Sequence, residues 1–162
     1  KIMLVSSAAL LAALVGSTVD PPRCALEAQG EWSAFVPSVD LVSLNYDCAA
    51  DPDDLQSMAA DRALLESTFG TEWLREHVMP VIGAYGLNTN YQEAACERVA
   101  QAVWGDSVGY IRANRPSASS AVRATSRSLA VSSAAQLWQR VLSSGGQVYV
   151  KEGGQSDFTK EA

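Results

Sequence analysis

The first part of the chain is a long uncharged stretch. Residues Ile2–Val19 hold no charged side chain over 18 positions, and thirteen of the 18 are Ile, Met, Leu, Val or Ala. A helix of that length measures about 27 Å, which approaches the ~30 Å hydrocarbon core of a bilayer. Pro21 and Pro22 cannot continue a helix interior, so the helix should end near Val19. We therefore predict a retained transmembrane helix over residues 1–19.

Small residues recur along this predicted helix at i, i+4 and i+8. Such a spacing lets a second helix backbone approach closely within lipid. The predicted helix-packing face consists of Ala8, Ala12 and Gly16, with Ala9, Ala13 and Ser17 one residue later. The alternative is a cleaved signal segment, for which Val15-Gly16-Ser17 offers small residues at the cleavage site.

The segments on either side of the central part of the chain lack a helical pattern. Residues 20–51 predict an irregular linker, because Pro, Gly and single Asp residues separate short apolar runs there. The run Leu41–Leu44 fits either a short strand or a covering loop, and we favour the loop. Residues 146–162 predict an extended C-terminal tail, with Val148–Val150 as a short extended piece and a loose polar end from Gly153.

Residues 52–145 carry helix signals and predict a helical domain. Asp51 is a good N-cap, Pro52 fits the first helical position, and Gly70 ends the apolar face that follows. The predicted helices run from Asp51 to Phe69, from Glu72 to Ala84, from Tyr91 to Trp104 and from Ser117 to Ser143. The expected fold class is mainly α, with one N-terminal transmembrane helix followed by a small bundle of about four helices.

Charge divides the chain into an acidic and a basic part. The formal net charge of −6 disfavours general nucleic-acid binding. Residues 20–106 hold fifteen acidic side chains against four Arg, whereas residues 107–150 hold five Arg and no acidic side chain. The candidate docking patch for an acidic partner or lipid headgroups is Arg112, Arg115, Arg123 and Arg127. The alternative is that this basic helix packs against the chain's own acidic helices.

Three cysteines and a single histidine limit the chemistry of the chain. No C-x-x-C pair is present, so no zinc site is predicted. Cys24 and Cys48 lie in the irregular segment, where a disulfide would add about 3 kcal/mol of stability and require an oxidising compartment. Pairings of either residue with Cys96 stay open. His77 is a weak candidate for a pigment ligand, and a structural role is favoured.

The sequence contains no catalytic motif. It has no nucleophile elbow, zinc-protease signature, P-loop or dinucleotide-binding glycine pattern. The acidic stretch Asp47–Asp54 lacks the spacing of an EF-hand loop, and a helix start explains the pair Asp53-Asp54. We therefore expect a non-catalytic, single-span accessory subunit of a multi-subunit membrane complex. Its partners would be other subunits and lipid, without a metal or cofactor of its own.

Among membrane complexes, we favour a photosynthetic one, a photosystem or antenna. The chain would then lie in a thylakoid membrane with its C-terminal domain in the lumen, and chlorophyll or carotenoid would occupy subunit interfaces. One alternative is an accessory subunit of a respiratory complex. Another is a secreted, periplasmic or lumenal helical binding module with a signal segment. An enzyme that uses His77 as a base is the weakest alternative.

Overall fold

The computed structural model describes residues 2–5, 34–48, 53–86, 92–154 and 157–162. Within them the chain forms an α/β fold, in which helices cover a five-stranded parallel sheet. The expected mainly α class is therefore wrong. The strands are β1 (Ile2–Val5), β2 (Leu41–Tyr46), β3 (Val78–Ile82), β4 (Ile111–Arg112) and β5 (Val148–Gly153). The helices are α1 (Asp53–Phe69), α2 (Thr71–His77), α3 (Glu93–Ala100), α4 (Ser120–Ser143) and α5 (Phe158–Glu161), and α3 continues as a π-helical turn (Gln101–Gly105).

The strand order in the sheet is β1-β5-β2-β3-β4, and every neighbouring pair is parallel. β2 and β3 are buried along their whole length. Strands that are covered on both faces read as continuous apolar runs rather than as alternating ones. Burial on both faces explains why Leu41–Leu44 resembles a loop in the sequence and why Val78–Ile82 resembles the end of a helix.

Pro80 marks the place where the predicted second helix fails. The predicted helix from Glu72 to Ala84 is present only as α2, which ends at His77, and Pro80 lies inside β3. β4 pairs only with Val81 and Ile82, so the ladder on that side of β3 does not extend to Pro80. A residue without an N–H is tolerated at such an edge of a ladder.

Two apolar layers hold the helices on opposite faces of the sheet. On one face, Val42 and Leu44 of β2 pack in a common cluster with Met58 and Leu65 of α1 and with residues of α2 and α3. On the other face, residues of β3 and β5 pack against α4 and α5. The buried members contributed there by α4 and α5 are Ala130, Ala134, Trp138 and Phe158. The helices α1 to α3 therefore cover one face of the sheet, and α4 and α5 cover the other.

The start of the chain forms an edge strand instead of the predicted transmembrane helix. Ile2–Val5 pairs in parallel with β5, and Met3 is buried while Ile2 and Leu4 are 45% and 64% exposed. The predicted packing face at positions 8, 9, 12, 13, 16 and 17 lies outside the described residues. No helix in the described ranges combines the length and the apolar character that crossing a bilayer requires. The single-pass placement in a thylakoid membrane is therefore corrected.

The predicted linker and tail also contain regular structure. β2 lies within residues 20–51, next to β5 at the centre of the sheet. The end of the chain carries α5, whose Phe158 is fully buried. Three of the four predicted helices correspond to the structure, the third of them, from Tyr91 to Trp104, as α3 with its π-helical turn. Asp53–Phe69 forms α1, and Ser120–Ser143 forms α4, with Ser119 accepting a hydrogen bond from the Val122 N–H as its N-cap.

Candidate functional site: a carboxylate pair between β2 and β5

The carboxyl ends of β2 and β5 form the point at which the chain changes faces. After β2 the chain enters α1 on one face of the sheet, and after β5 it enters α5 on the other face. Segments that leave neighbouring parallel strands in opposite directions open a crevice between them, and ligands of open α/β sheets bind there. This position is therefore the first place to look for a functional site.

Asp47 and Asp54, hereafter the carboxylate pair, lie at this position. Asp47 follows β2 directly, and its N–H donates to the Gly153 carbonyl of β5 at 3.1 Å. Asp54 lies in the first turn of α1, and its Oδ2 accepts the Cys48 N–H at 2.7 Å. The two side chains are buried, with 7% and 3% of their surface exposed, and are hydrogen-bonded to each other.

Two glycines at the end of β5 make room for the carboxylate pair. A Cβ on Gly153 would overlap Oδ1 of Asp54, and a Cβ on Gly154 would overlap Oδ2 of Asp47. Gly154 also has a φ of +82°, in the region where side chains are strained. The close approach of the β5 backbone to both carboxyl groups therefore depends on the absence of side chains at these positions.

Asp54 holds a proton far more strongly than an ordinary aspartate. Its pKa is raised from 3.8 to about 7, mainly because burial disfavours the charged form. The hydrogen bond from the Cys48 N–H lowers the pKa, whereas the hydrogen bond and negative charge of Asp47 raise it, as does the charge of Asp53 to a smaller extent. One of two adjacent carboxyl groups is thus neutral up to about pH 7.

Cys48 links the carboxylate pair to α3. It forms a disulfide with Cys96, with a Cα–Cα distance of 6.1 Å, instead of the favoured pairing with Cys24, which lies outside the described residues. Cys48 has a φ of 55°, which is uncommon for a residue other than glycine. The strained residue is therefore next to Asp47 and in direct contact with Asp54, and backbone strain tends to cluster at functional sites.

A second polar group lies on the other side of the same two strands. The Nδ2 of Asn45 donates to Thr159 Oγ1 at 2.9 Å and to Glu152 Oε1 at 3.3 Å, and Thr159 also donates to Glu152. Ser43 Oγ donates to Asn45 Oδ1 at 3.1 Å. Glu152 Oε2 is buried and has no hydrogen-bond partner in the described part of the chain. A hydroxyl or amine of a ligand would satisfy this acceptor.

Two of the four residues of the predicted basic patch, Arg112 and Arg127, form ion pairs within the described residues. Arg127 forms ion pairs with Asp157 and Glu161 and also donates to the carbonyls of Gly83, Ala84 and Ala113. Arg112 lies 3.1 Å from a carboxylate oxygen of Glu97. Arg115 and Arg123 are half-buried, and Arg115 Nε is among the buried atoms without a hydrogen-bond partner. Arg112 lies in β4 and Arg127 pairs with acidic residues at and next to α5, whereas the acidic helices α1 to α3 cover the face of the sheet opposite to α4.

His77 and the tryptophans lie away from the carboxylate pair. The Nδ1–H of His77 donates to the Asp40 carbonyl at 2.8 Å, and its ring stacks on Trp73 at 5.1 Å. This hydrogen bond of His77 therefore connects the amino ends of β2 and β3. Trp104 and Trp138 are buried in the two apolar layers, and Trp32 lies outside the described residues.

The sequence contained a signal for the carboxylate pair, but it was not decisive. An apolar run that ends in Asp, followed by an Asp-rich helix start, is what a strand–loop–helix unit presents at its carboxyl edge. The interpretation of Leu41–Leu44 as a loop removed this signal. Glu152 and Thr159 had no local signal, since Asn45 lies 107 and 114 residues from them. Among the described residues, no group of three or more His, Cys, Asp and Glu could hold a metal ion.

The chain was compared with protein-family models, with curated proteins and with solved structures, and it matches none of them. The functional argument therefore depends on the geometry of the site alone.

Proposed function

We propose that the protein is a hydrolase that uses the carboxylate pair for acid–base catalysis. The arrangement that carries this proposal is the buried pair at the carboxyl ends of β2 and β5, where Asp54, with a pKa of about 7, is hydrogen-bonded to Asp47. Two adjacent carboxyl groups that share one proton provide an acid and a base at the same place. The proposal departs from the non-catalytic role expected from the absence of sequence motifs.

The direct hydrogen bond between the two carboxyl groups favours one type of reaction. Glycosidases that use two carboxyl groups keep them about 5 Å or more apart. A pair in hydrogen-bond contact instead resembles the shared-proton arrangement of aspartic proteases, in which a water is activated for attack on a carbonyl carbon. We therefore assign hydrolysis of an ester or amide bond to the pair.

In the proposed step, Asp47 accepts a proton from water while the hydroxide part forms a bond to the carbonyl carbon. Asp54 donates its proton to the carbonyl oxygen. When the tetrahedral intermediate collapses, the carbon–leaving-group bond breaks and the leaving group takes the proton from Asp47. The proton on the former carbonyl oxygen returns to Asp54. The pair then has its original single proton, and one water has been consumed.

Charge restricts the substrate to neutral or cationic molecules. Acidic groups gather at the carboxyl ends of β2 and β5, where Asp47 follows β2, Asp54 lies beside it and Glu152 lies in β5. Lys151 is paired with Asp61, and Arg127 is paired with Asp157 and Glu161. An anionic substrate would be repelled, because like charges in a partly buried site interact strongly.

The disulfide supports maturation of the protein in an oxidising compartment. The bond between Cys48 and Cys96 is buried, with 2% and 0% of the two residues exposed. Disulfides persist in secreted, periplasmic and lumenal proteins and are rare in a reducing cytosol. A hydrolase from such a compartment is consistent with the disulfide and with the carboxylate pair.

The proposal is tested with chromogenic substrates in matched series. Neutral, cationic and anionic esters and anilides should be compared with neutral glycosides over a range of pH on either side of 7. We expect hydrolysis of neutral or cationic esters or anilides, with a rate that falls as pH rises through about 7, because Asp54 loses its proton there.

Variants of the pair provide the controls. Asp54→Asn and Asp47→Asn should each abolish turnover, whereas Asp53→Asn, which changes the neighbouring exposed carboxylate of α1, should retain it. Equal activity of Asp54→Asn and wild-type protein would remove Asp54 from the mechanism. Hydrolysis of glycosides alone would contradict the assignment to carbonyl chemistry.

A further inference from the structure

Cys48 makes three contacts that fix its position beside the carboxylate pair. Its Sγ is bonded to Cys96 of α3, its carbonyl accepts the Gln92 N–H at 3.1 Å, and its own N–H donates to Asp54 Oδ2 at 2.7 Å. Gln92 is the N-cap residue of α3, so two of the three contacts lead to the same helix. The orientation of the Cys48 N–H is therefore linked to the position of α3.

Cys96, at the other end of the disulfide, is fixed by its burial in an apolar layer. Cys96 is fully buried, as are Ala100 and Trp104 further along the same helical segment, and all three belong to the apolar layer that also contains Met58 of α1. A backbone position with a φ of 55° is disfavoured for a residue with a Cβ, and it persists only where its surroundings impose it. The crosslink to α3 supplies such a constraint at Cys48.

We propose that the Cys48–Cys96 disulfide positions the carboxylate pair, because it holds the Cys48 N–H on Asp54. In this account Cys48 and Cys96 are positioning residues, and the inference rests on the proposed function of the pair. A disulfide that merely fastened a loop would not need to place a backbone donor on a buried carboxyl group.

The charged and titratable groups that act on Asp54 identify what the crosslink can change. Asp47 faces Asp54 from the end of β2, Asp53 adjoins it on α1, and the phenol of Tyr46 is coupled to it electrostatically from within β2. From β5, the backbone of Gly153 approaches Oδ1, and α3 contributes the uncharged Cys96. The Cys48 N–H is the contact among these that lowers the pKa of Asp54. Loss of this donor should therefore raise the pKa.

The experiment measures the pKa of Asp54 by carboxyl-carbon NMR in the full chain. Two double variants remove the crosslink: Cys48→Ala with Cys96→Ala, and Cys48→Gly with Cys96→Ala. Glycine adopts a positive φ without strain, so the second variant keeps the local conformation accessible and protects the test if the first variant does not fold. We expect the pKa of Asp54 to rise above about 7 in each folded variant. The fall in hydrolysis rate should move to higher pH by the same amount.

A matched control separates positioning from a general loss of stability. Ala100→Gly weakens α3 without touching the crosslink, so it should leave the pKa of Asp54 unchanged. An unchanged pKa in every folded double variant would overturn the inference, as would an equal rise in Ala100→Gly. The proposed function fails separately, if wild-type Asp54 titrates near 3.8 or if the wild-type protein hydrolyses no ester or anilide.

Discussion

Two buried aspartates of α1, Asp54 and Asp61, have opposite surroundings. Asp61 of α1 contacts Lys151 Nζ at 2.6 Å and accepts the Tyr46 hydroxyl at 2.7 Å. Asp54, seven residues earlier on α1, meets Asp47 and the Cys48 N–H instead. Asp61 thus has a cation and a neutral donor, whereas Asp54 has a second carboxyl group.

The comparison of Asp61 with Asp54 shows how one helix can contain both a structural and a reactive carboxyl group. The charge of Asp61 is balanced by Lys151 within the protein. Burial, together with the charge of Asp61, raises the pKa of Tyr46 well above its usual 10.0, so this phenol stays neutral. The carboxylate pair avoids a second buried charge by retaining a proton instead. A retained proton can be transferred to a substrate, whereas a closed ion pair has little reason to exchange one.

The largest expected effect comes from removing Lys151, the cation that pairs with Asp61. Lys151→Met leaves Asp61 charged and buried without its cation, so we expect the free energy of unfolding to fall by about 3–5 kcal/mol. Urea denaturation measures this loss. Adding Asp61→Asn should restore most of it, because the uncompensated charge is then removed. A loss below about 1 kcal/mol in the single variant would show that the ion pair matters little.

The next effect concerns the space around the carboxylate pair. Gly154→Ala adds a Cβ that overlaps Asp47 at a φ of +82°, while Gly109→Ala adds one at a similar φ of +85° with no atom within 4 Å. We expect Gly109→Ala to cost about 1–2 kcal/mol from backbone strain alone. Gly154→Ala should cost about 1–2 kcal/mol more, because overpacking is added. Equal losses in thermal or urea unfolding would contradict the close approach of β5 to Asp47.

A smaller effect with a defined pH dependence comes from Asp54→Asn. The folded pKa of about 7 lies above the ordinary 3.8, so the folded state binds more protons between these values and the free energy of unfolding falls as pH rises through this window. The full difference corresponds to at most about 4 kcal/mol, and coupling to Asp47 reduces it. We therefore expect Asp54→Asn to gain about 2 kcal/mol relative to wild type above pH 7 and little near pH 3. A constant difference across the window would exclude the elevated pKa.

The smallest expected effect tests the polar group on the opposite side of the strands. Thr159→Val removes the hydroxyl that accepts from Asn45 and donates to Glu152, and we expect a loss of about 1 kcal/mol. Thr68→Val is the matched control, because Thr68 is exposed and its hydroxyl donates to the Leu64 carbonyl of its own helix. It should change stability by less than about 0.5 kcal/mol. If the two variants behave alike in urea denaturation, the network around Glu152 contributes no stability.

The sequence predicted those parts of the fold that depend on local signals. α1 follows from its acidic start and from Gly70, and α4 ends at Ser143, as the predicted helix from Ser117 to Ser143 does. β2 and β3 were missed because burial on both faces removes the alternating pattern, and β5 was predicted only as a short extended piece. β1 was missed because four apolar residues look the same in a strand as in a helix. A parallel sheet is built from distant segments, so its order leaves no local signal.

The same reason explains why the candidate site was not found. Asp53-Asp54 was correctly associated with a helix start, but its meeting with Asp47 depends on β2 ending beside it. The disulfide is one of the pairings that the sequence left open, and only the packing of α3 against the end of β2 selects Cys96. Spatial proximity, rather than residue type, distinguishes the carboxylate pair from an ordinary acidic loop.

Direct titration of the carboxyl carbon of Asp54 by NMR tests the central claim most closely. Our account predicts that Asp54 titrates at about 7 in the wild-type protein, and that Asp47→Asn lowers this value because the neighbouring negative charge is removed. Titration of Asp54 near its ordinary 3.8, or no change in Asp47→Asn, would contradict a carboxylate pair that shares a proton.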